Sequence, residues 1–240
     1  MFRLRGVRKL FGPQLAVDVD LDLPRGRSTV LLGPSGCGKS TLLRLCMGLI
    51  SPDAGEISFD GAPLDRHARR RIGYVIQDGG LFPHLTARHN VALAARDRPR
   101  AEVDARIATL AELVQLPPSL LERYPLELSG GQRQRVSLMR ALALDPEALL
   151  FDEPFGALDP IIRAELQHDL KRIAQTLRKT VVMVTHDLGD AATLADEVIL
   201  LRAGRVVQRG PLAELVRTPR DPFVTQFIEA QRAPLAQLDA

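Results

Sequence analysis

Residues 28–40 read STVLLGPSGCGKS, and this stretch decides the fold. The first five residues form an apolar run that predicts a buried strand. The remainder matches the pattern G-x-x-x-x-G-K-[ST] of phosphate-binding loops. Three glycines let backbone N–H groups point inward at phosphate oxygens, and a helix predicted from Ser40 to about Met47 adds its positive N-terminal end. The stretch therefore predicts an α/β chain with a nucleotide site.

Two side chains of this loop carry specific chemistry. Lys39 places a positive charge at the β- and γ-phosphates, and the Ser40 hydroxyl is positioned to ligate magnesium. Thr41 follows them beside the phosphates. The predicted nucleotide contacts are Gly33, Pro34, Ser35, Gly36, Cys37, Gly38, Lys39, Ser40 and Thr41.

Cys37 lies among inward N–H groups and close to Lys39 in sequence. That environment predicts a lowered thiol pKa and a reactive side chain that bound MgATP would shield. The alternative is a buried, inert cysteine. Cys37 and Cys46 are the two cysteines of the sequence, and neither has the spacing of a zinc site, so the predicted metal is magnesium brought by ATP.

An acidic pair follows a second apolar run, Ala148–Phe151. A strand delivers Asp152 and Glu153 to the carboxyl edge of a parallel sheet, where phosphates bind. Asp152 is the candidate magnesium ligand, and Glu153 is the candidate to orient or deprotonate the attacking water. A third run, Val181–Thr185, ends at His186, which can contact the γ-phosphate from that edge. A lone histidine is more often structural, but its place after a strand favours the site.

The pentapeptide LSGGQ occupies residues 128–132. Ser129, Gly130 and Gly131 precede a helix predicted from Gln132 to about Leu144, so they form a second helix N-terminus that favours an anion. The chain would then hold two such ends.

With this pentapeptide the chain resembles the ATP-binding subunits of ABC transporters, whose signature is LSGGQ. The resemblance extends over nearly the whole chain, and each motif occurs once in family order. These motifs are the phosphate loop, Gln77 as the Q-loop, the signature, Asp152-Glu153, Ala157-Leu158-Asp159 as the D-loop, and His186 as the switch histidine.

The resemblance implies roles for further residues. Gln77 becomes both a catalytic residue and a magnesium ligand, and Asp159 a nucleotide contact, as do the signature residues Ser129, Gly130, Gly131 and Gln132. Phe11 stands where the family places the aromatic residue that stacks on adenine. The alternative for Phe11 is a core residue of the first strand.

The resemblance also implies the fold and the partners. We expect a P-loop NTPase (RecA-like) α/β core with an N-terminal antiparallel β subdomain and a helical subdomain inserted at about residues 78–144. Residues 1–229 would form a single domain, with a flexible tail at 230–240. Two copies, or this chain and a paralogous cassette, would dimerise head-to-tail around two MgATP. They would drive an integral membrane permease and serve, indirectly, an extracytoplasmic solute-binding protein.

Two stretches narrow the resemblance to bacterial importers for glycine betaine and other quaternary-ammonium osmoprotectants: residues 72–86 and Glu153–Pro160. In that reading, Leu81–His89 lines the groove that receives a coupling helix of the permease. The alternatives are an importer for an amino acid or another small solute, and a soluble ABC ATPase of translation, DNA repair or iron–sulfur assembly. A P-loop kinase or GTPase is disfavoured because neither has a use for LSGGQ.

Composition argues against a nucleic-acid-binding, a membrane-spanning or a secreted protein. The net charge is +3, and the 25% of charged residues include both signs, which is typical of an ordinary soluble surface and not of a nucleic-acid-binding stripe. Apolar runs are strand-sized, well short of the roughly 20 residues that span a bilayer, and Met1–Arg5 lacks a secretory apolar region. We therefore expect a peripheral protein on the cytoplasmic face of the membrane. The basic run Arg66–Arg71 reads as a solvated helix or loop in preference to a lipid contact.

Periodicity and turn residues predict the remaining elements. These are helices at Arg100–Leu116 and Ile161–Leu177, a hairpin of Glu197–Leu201 with the turn at Arg202–Arg205, and helices at Leu212–Val216 and Pro222–Glu229.

Overall fold

The computed structural model of the chain describes residues 1–77, 79–156 and 158–236. The strands, in chain order, are β1 Phe2–Phe11, β2 Gln14–Leu23, β3 Ser28–Leu32, β4 Ala54–Phe59, β5 Ala62–Pro63, β6 Ile72–Val75, β7 Ala148–Asp152, β8 Thr180–Val184, β9 Glu197–Arg202 and β10 Arg205–Gly210. The helices are α1 Lys39–Cys46, α2 Arg66–Arg70, α3 Ala87–Ala92, α4 Arg100–Leu113, α5 Gly130–Leu142, α6 Pro160–Thr176, α7 Leu188–Leu194, α8 Leu212–Arg217 and α9 Pro222–Ala236.

The chain divides into two compact units, and the first comprises residues 1–65 and the described residues from Thr180 onward. In this unit β1, β2, β4 and β5 form an antiparallel sheet in the order β2-β1-β4-β5. Beside it, β3 pairs in parallel with both β8 and β9, and β10 pairs antiparallel with β9. The central strand β3 is buried along its length after Ser28, as its apolar sequence predicts.

The second unit comprises residues 66–179. Its strands β6 and β7 are parallel, and every residue of β7 is buried. Between these strands the described residues are mostly helical, with α3, α4 and α5 joined by short 3₁₀ turns. Ile107 and Leu110 of α4 and Val136 and Met139 of α5 are buried, at the helical spacing that the sequence shows.

Two helix ends differ from the sequence predictions by three residues or more. Helix α4 ends at Leu113, before the predicted Leu116, and α9 continues through Ala236, beyond the predicted Glu229 and into the predicted tail of residues 230–240. The last part of that predicted tail, 237–240, lies outside the described residues. Helix α9 is anchored by Val224 and Ile228, which are buried. Within the described residues, every helix is too short or too polar to span a bilayer.

Candidate nucleotide site

The predicted phosphate loop joins β3 to α1 in the first unit, and its glycines adopt left-handed conformations. Gly33 has φ 148°, Gly36 has φ 76° and Gly38 has φ 102°. A Cβ on Gly38 would lie 2.1 Å from the Ala16 carbonyl oxygen, and one on Gly33 would lie 2.4 Å from the Leu201 carbonyl oxygen. Backbone conformation and the lack of space therefore both require glycine at these two positions.

The loop presents a positive charge together with a helix N-terminus at the start of α1. The N-cap residue is Gly38, which has no side chain to cap the first turn. Lys39 is buried, and its Nζ donates to the carbonyl oxygens of Gly33 at 2.8 Å and Pro34 at 2.9 Å. The lysine charge is thereby held within the curve of the loop. A phosphate group fits this arrangement of a cation and a helix N-terminus.

The cysteine of the loop does not have the predicted pKa. Cys37 Sγ lies 3.9 Å from Lys39 Nζ, which lowers the thiol pKa, but burial has the larger effect and raises it. The prediction of a lowered pKa is therefore wrong, and the alternative of a buried cysteine describes the residue. In α1, burial raises the pKa of Cys46 to about 12.

His186 lies at the same sheet edge as the phosphate loop. In the parallel pair of β3 and β8, Leu31 is opposite Val184, and the Thr185 N–H donates to the Leu31 carbonyl oxygen at 3.2 Å. Both strands run toward this edge, one into the loop and the other into Thr185 and His186. The phosphate loop and His186 therefore both follow the carboxyl ends of parallel strands, as the sequence indicated.

Phe11 ends β1 and is 54% exposed, so the alternative of a core residue is not realised. Lys9 Nζ lies 5.9 Å from the centroid of its ring. Phe11 is paired with Gln14, and two residues later β2 brings the Ala16 carbonyl against the loop glycine Gly38. An exposed aromatic ring on this hairpin is suited to stacking on a base.

In the second unit, the acidic pair and Gln77 follow adjacent strands. Val75 of β6 is opposite Phe151 of β7, so Gln77 and Asp152 leave the strands at the same edge. Asp152 is buried, and its Oδ2 accepts a hydrogen bond from the Tyr74 hydroxyl at 3.3 Å. Glu153 is partly exposed and has φ 47° in the left-handed region, which is uncommon outside glycine. The backbone at Glu153 is therefore not extended, and its side chain leaves the chain in a different direction from that of a residue on a continuing strand.

The pentapeptide begins α5, two residues earlier than predicted. Ser129 is the N-cap residue: its Oγ accepts from the Gln132 N–H at 3.3 Å, and Gln132 Oε1 accepts from the Ser129 N–H at 2.9 Å. This is a capping box, which the spacing S-x-x-Q encodes. A Cβ on Gly131 would lie 2.6 Å from Cγ2 of Ile162 in α6, so close helix packing accounts for this glycine.

Asp159 caps the next helix. Its Oδ1 accepts from the N–H groups of Ile161 at 3.1 Å and Ile162 at 3.0 Å, at the start of α6. The nucleotide contact inferred for Asp159 from resemblance stays a prediction. Ala157, the first residue of the predicted D-loop, lies outside the described residues.

Comparison with known proteins identifies the family. Residues 16–156 match the sequence profile of the ABC transporter family. This chain belongs to the ABC transporter family. The resemblance to this family is therefore confirmed. The predicted α/β fold class is also confirmed, since the chain superimposes with a TM-score of 0.81 on the dimeric structure of the bacterial ABC transporter cassette MJ0796. That match has 34% sequence identity and covers 88% of this chain and 99% of the other.

Two curated relatives illustrate the range of the family. The glycine betaine/carnitine/choline transport ATP-binding protein OpuCA of Bacillus subtilis is 44% identical over 97% of this chain. The sulfate/thiosulfate import ATP-binding protein CysA of Thermosynechococcus vestitus is 50% identical over 94% of this chain and 68% of its own length. The chain spans 63% of the length of OpuCA.

The ABC cassette contains site-supporting contacts that sequence reasoning missed. Tyr74, next to the Q-loop, holds Asp152, and two residues of α5 hold the turn after Gln77. Ser137 Oγ donates to the Gly79 carbonyl at 2.8 Å, and the Arg140 guanidinium donates to the carbonyls of Gly79 at 2.8 Å and Gly80 at 2.7 Å. The signature helix and the Q-loop turn are therefore joined by side chains. No local pattern in the sequence signals these pairs.

The stretch predicted to dock a permease is ordered by one buried amide. The Asn90 side chain accepts from the Phe82 N–H at 2.8 Å and donates to the carbonyls of Phe82, Leu85 and Thr86 at 3.0–3.1 Å. Phe82 is 44% exposed and Leu81 is partly exposed. Leu85 and His89 line a cavity of about 460 Å³ together with Leu93 and four arginines, Arg88, Arg96, Arg98 and Arg100. The second unit thus presents a fixed, partly apolar surface here.

Proposed function

We propose that this chain is the ATP-hydrolysing subunit of an ABC importer, and that it works as a dimer on a separate membrane permease. The observation that carries the proposal is the loop from Gly33 to Ser40. Its left-handed glycines, the enclosed Lys39 ammonium and the α1 N-terminus without a side-chain cap form an anion site suited to a phosphate group. In the family these features belong to ATP.

The chemistry assigns one task to each polar group. Lys39 would neutralise phosphate charge, and Ser40, Gln77 and Asp152 would hold magnesium, with Tyr74 orienting Asp152. Hydroxyl, amide and carboxylate oxygens are the donors that this hard cation prefers, so the donor set fits the metal. Bound magnesium would supply charge neutralisation at the phosphates.

Hydrolysis needs a positioned water and a base. Glu153, with its left-handed backbone beside Asp152, is the group we assign to that water. His186 would contact the γ-phosphate from the loop edge. A second subunit would close the site with Ser129 and the α5 N-terminus, and the dimeric MJ0796 cassette supports this arrangement. A structure of that cassette with ADP and Pi supports the nucleotide assignment.

The variant Glu153→Gln tests the reaction. It keeps the shape of the side chain but removes the base, so we expect ATP binding to persist while turnover falls by about 10²–10⁴-fold. Size-exclusion chromatography should then show an ATP-dependent dimer. The matched control is Glu112→Gln, an exposed position on α4, which should hydrolyse ATP at the parental rate. Parental activity in Glu153→Gln would exclude this residue as the base.

The solute is proposed from two relatives. OpuCA transports glycine betaine, carnitine and choline by its name, and the residues after β6 and β7 resemble that branch, so we propose a quaternary-ammonium osmoprotectant. CysA favours a second candidate, sulfate or thiosulfate, because it is 50% identical over 94% of this chain. Uptake of labelled betaine, choline, sulfate and an amino acid in cells with and without the gene distinguishes them. Unchanged uptake of betaine and choline would refute the first assignment.

Docking to the permease is tested at Leu81 and Phe82. A charge placed at either position would have to be desolvated in the interface, so Leu81→Asp and Phe82→Asp should lose copurification with the proposed permease. ATP hydrolysis by the isolated subunit should remain. Leu49→Asp is the control, since Leu49 is 57% exposed in the first unit. Normal assembly and uptake in both variants would show that this surface is not part of the interface with the permease.

A further inference from the structure

The backbone around His186 is held by a side chain from the last helix. Gln231 lies on α9, and its Oε1 accepts a hydrogen bond from the Leu188 N–H at 3.1 Å. Its Nε2 donates to the carbonyl oxygen of His186. One amide therefore bridges two backbone groups on either side of Asp187.

The orientation of this amide is fixed by its partners. An N–H can only donate and a carbonyl can only accept, so the Gln231 oxygen must face Leu188 and its nitrogen must face His186. A glutamate at this position could keep the bond to Leu188, but its second oxygen would meet the His186 carbonyl, and two acceptors repel. The contact thus depends on a glutamine and not only on a side chain of that length.

Neighbouring bonds hold the residues on both sides of His186. Thr185 is held to β3, and its Oγ1 bonds to the Asp190 carboxylate at 2.5 Å. Asp187 caps α7 through the N–H groups of Gly189 and Asp190. These bonds fix the strand end and the helix start, and Gln231 fixes the backbone between them.

We infer that Gln231 is a positioning residue for His186, and that α9 thereby belongs to the hydrolysis machinery. This inference rests on the proposed function, in which His186 contacts the γ-phosphate. Release of the clamp lets the imidazole shift relative to the phosphate loop. The loop itself, which carries the contacts for nucleotide binding, is untouched.

Kinetics of Gln231→Ala test the inference. We expect kcat to fall about three- to thirtyfold, because small displacements of a catalytic group are costly, with KM for MgATP within about twofold of the parent. Gln231→Glu should show the same loss. The matched control is Gln226→Ala, an exposed glutamine on the same helix, which should keep parental kcat. In a His186→Ala background, Gln231→Ala should change kcat less than about twofold, because its effect acts through that histidine.

Two outcomes overturn the inference while leaving the ATPase assignment intact. One is a parental kcat in Gln231→Ala when His186→Ala loses activity, and the other is an undiminished effect of Gln231→Ala in the His186→Ala background. Hydrogen exchange supplies a readout independent of activity. Peptides covering residues 186–190 should exchange faster in Gln231→Ala than in Gln226→Ala. Equal exchange would show that Gln231 does not hold this backbone. Absence of ATP hydrolysis in the parent protein would instead refute the proposed function.

Discussion

Replacement of Arg140 by alanine should loosen the turn that follows Gln77. The guanidinium makes two hydrogen bonds, to the carbonyls of Gly79 and Gly80, and both glycines have left-handed φ, 75° and 53°. A Cβ on Gly80 would lie 2.0 Å from the Ile76 side chain, so the turn is closely packed. It therefore has few other conformations in which the carbonyls could find new partners.

The magnitude follows from the partners that remain. A hydrogen bond from a charged donor contributes about 1.5–3 kcal/mol, so two give at most about 3–6 kcal/mol. The Gly79 carbonyl keeps the Ser137 hydroxyl, and Gly80 is partly exposed, so water can replace part of the loss. Burial lowers the pKa of Arg140, which means that the charged form is partly desolvated and that its removal relieves that cost. We expect a net loss of about 2 kcal/mol in the free energy of unfolding.

Urea denaturation of matched variants measures this loss. Ser137→Ala removes one neutral hydrogen bond and should cost about 1 kcal/mol. The double variant leaves the Gly79 carbonyl without either side chain and should cost more than the sum of the single variants. Arg100→Ala is the control, because its side chain is 95% exposed and its ion pair with Asp104 is long, at 3.7 Å. An unchanged midpoint for Arg140→Ala, or additivity in the double variant, would refute the reasoning.

Three further predictions concern the loop and one ion pair. Gly38→Ala should abolish ATP binding in calorimetry but keep the circular-dichroism spectrum, because its Cβ would meet the Ala16 carbonyl at 2.1 Å and displace the loop. Alkylation of Cys37 at neutral pH, followed by mass spectrometry, should be slower than that of a free thiol and should accelerate in alkali, since burial raises its pKa; rapid neutral labelling would contradict this. Asp145→Asn should destabilise by up to about 1 kcal/mol at neutral pH. Lys179 lowers the pKa of Asp145 in the folded state, so this stabilisation is complete above the unfolded pKa of about 3.9 and should vanish as pH falls through the lower folded value.

The parts of the site that were predictable are contiguous in sequence. The phosphate loop, Asp152-Glu153 and the strand before His186 each carry their signal within a few residues. The parallel register of β3 with β8 then places the loop and His186 at one edge, as the strand rule requires. The capping box at Ser129 could also have been read from its spacing to Gln132.

The contacts that support the site could not be predicted in this way. Tyr74 and Asp152 are 78 positions apart, Gln231 and His186 are 45 apart, and Arg140 is 60 from Gly80. Pairs at such separations depend on packing and register, which no local pattern determines. The prediction for the pKa of Cys37 was wrong for a related reason. The sequence shows the nearby lysine, which lowers the pKa, but not the burial, which raises it by more.

The two helix N-termini of the cassette differ in a way that bears on the order of events. The first turn of α1 follows Gly38, which has no side chain to cap it, whereas α5 receives the Ser129 hydroxyl at the Gln132 N–H. A phosphate that binds to the first therefore meets no N-cap side chain, while an anion that approaches the second must compete with the Ser129 cap. Under the proposed function, ATP would bind first to the loop of one subunit. The signature helix of the other subunit would join only when closure of the dimer compensates for the disturbed cap, so that nucleotide binding precedes dimerisation.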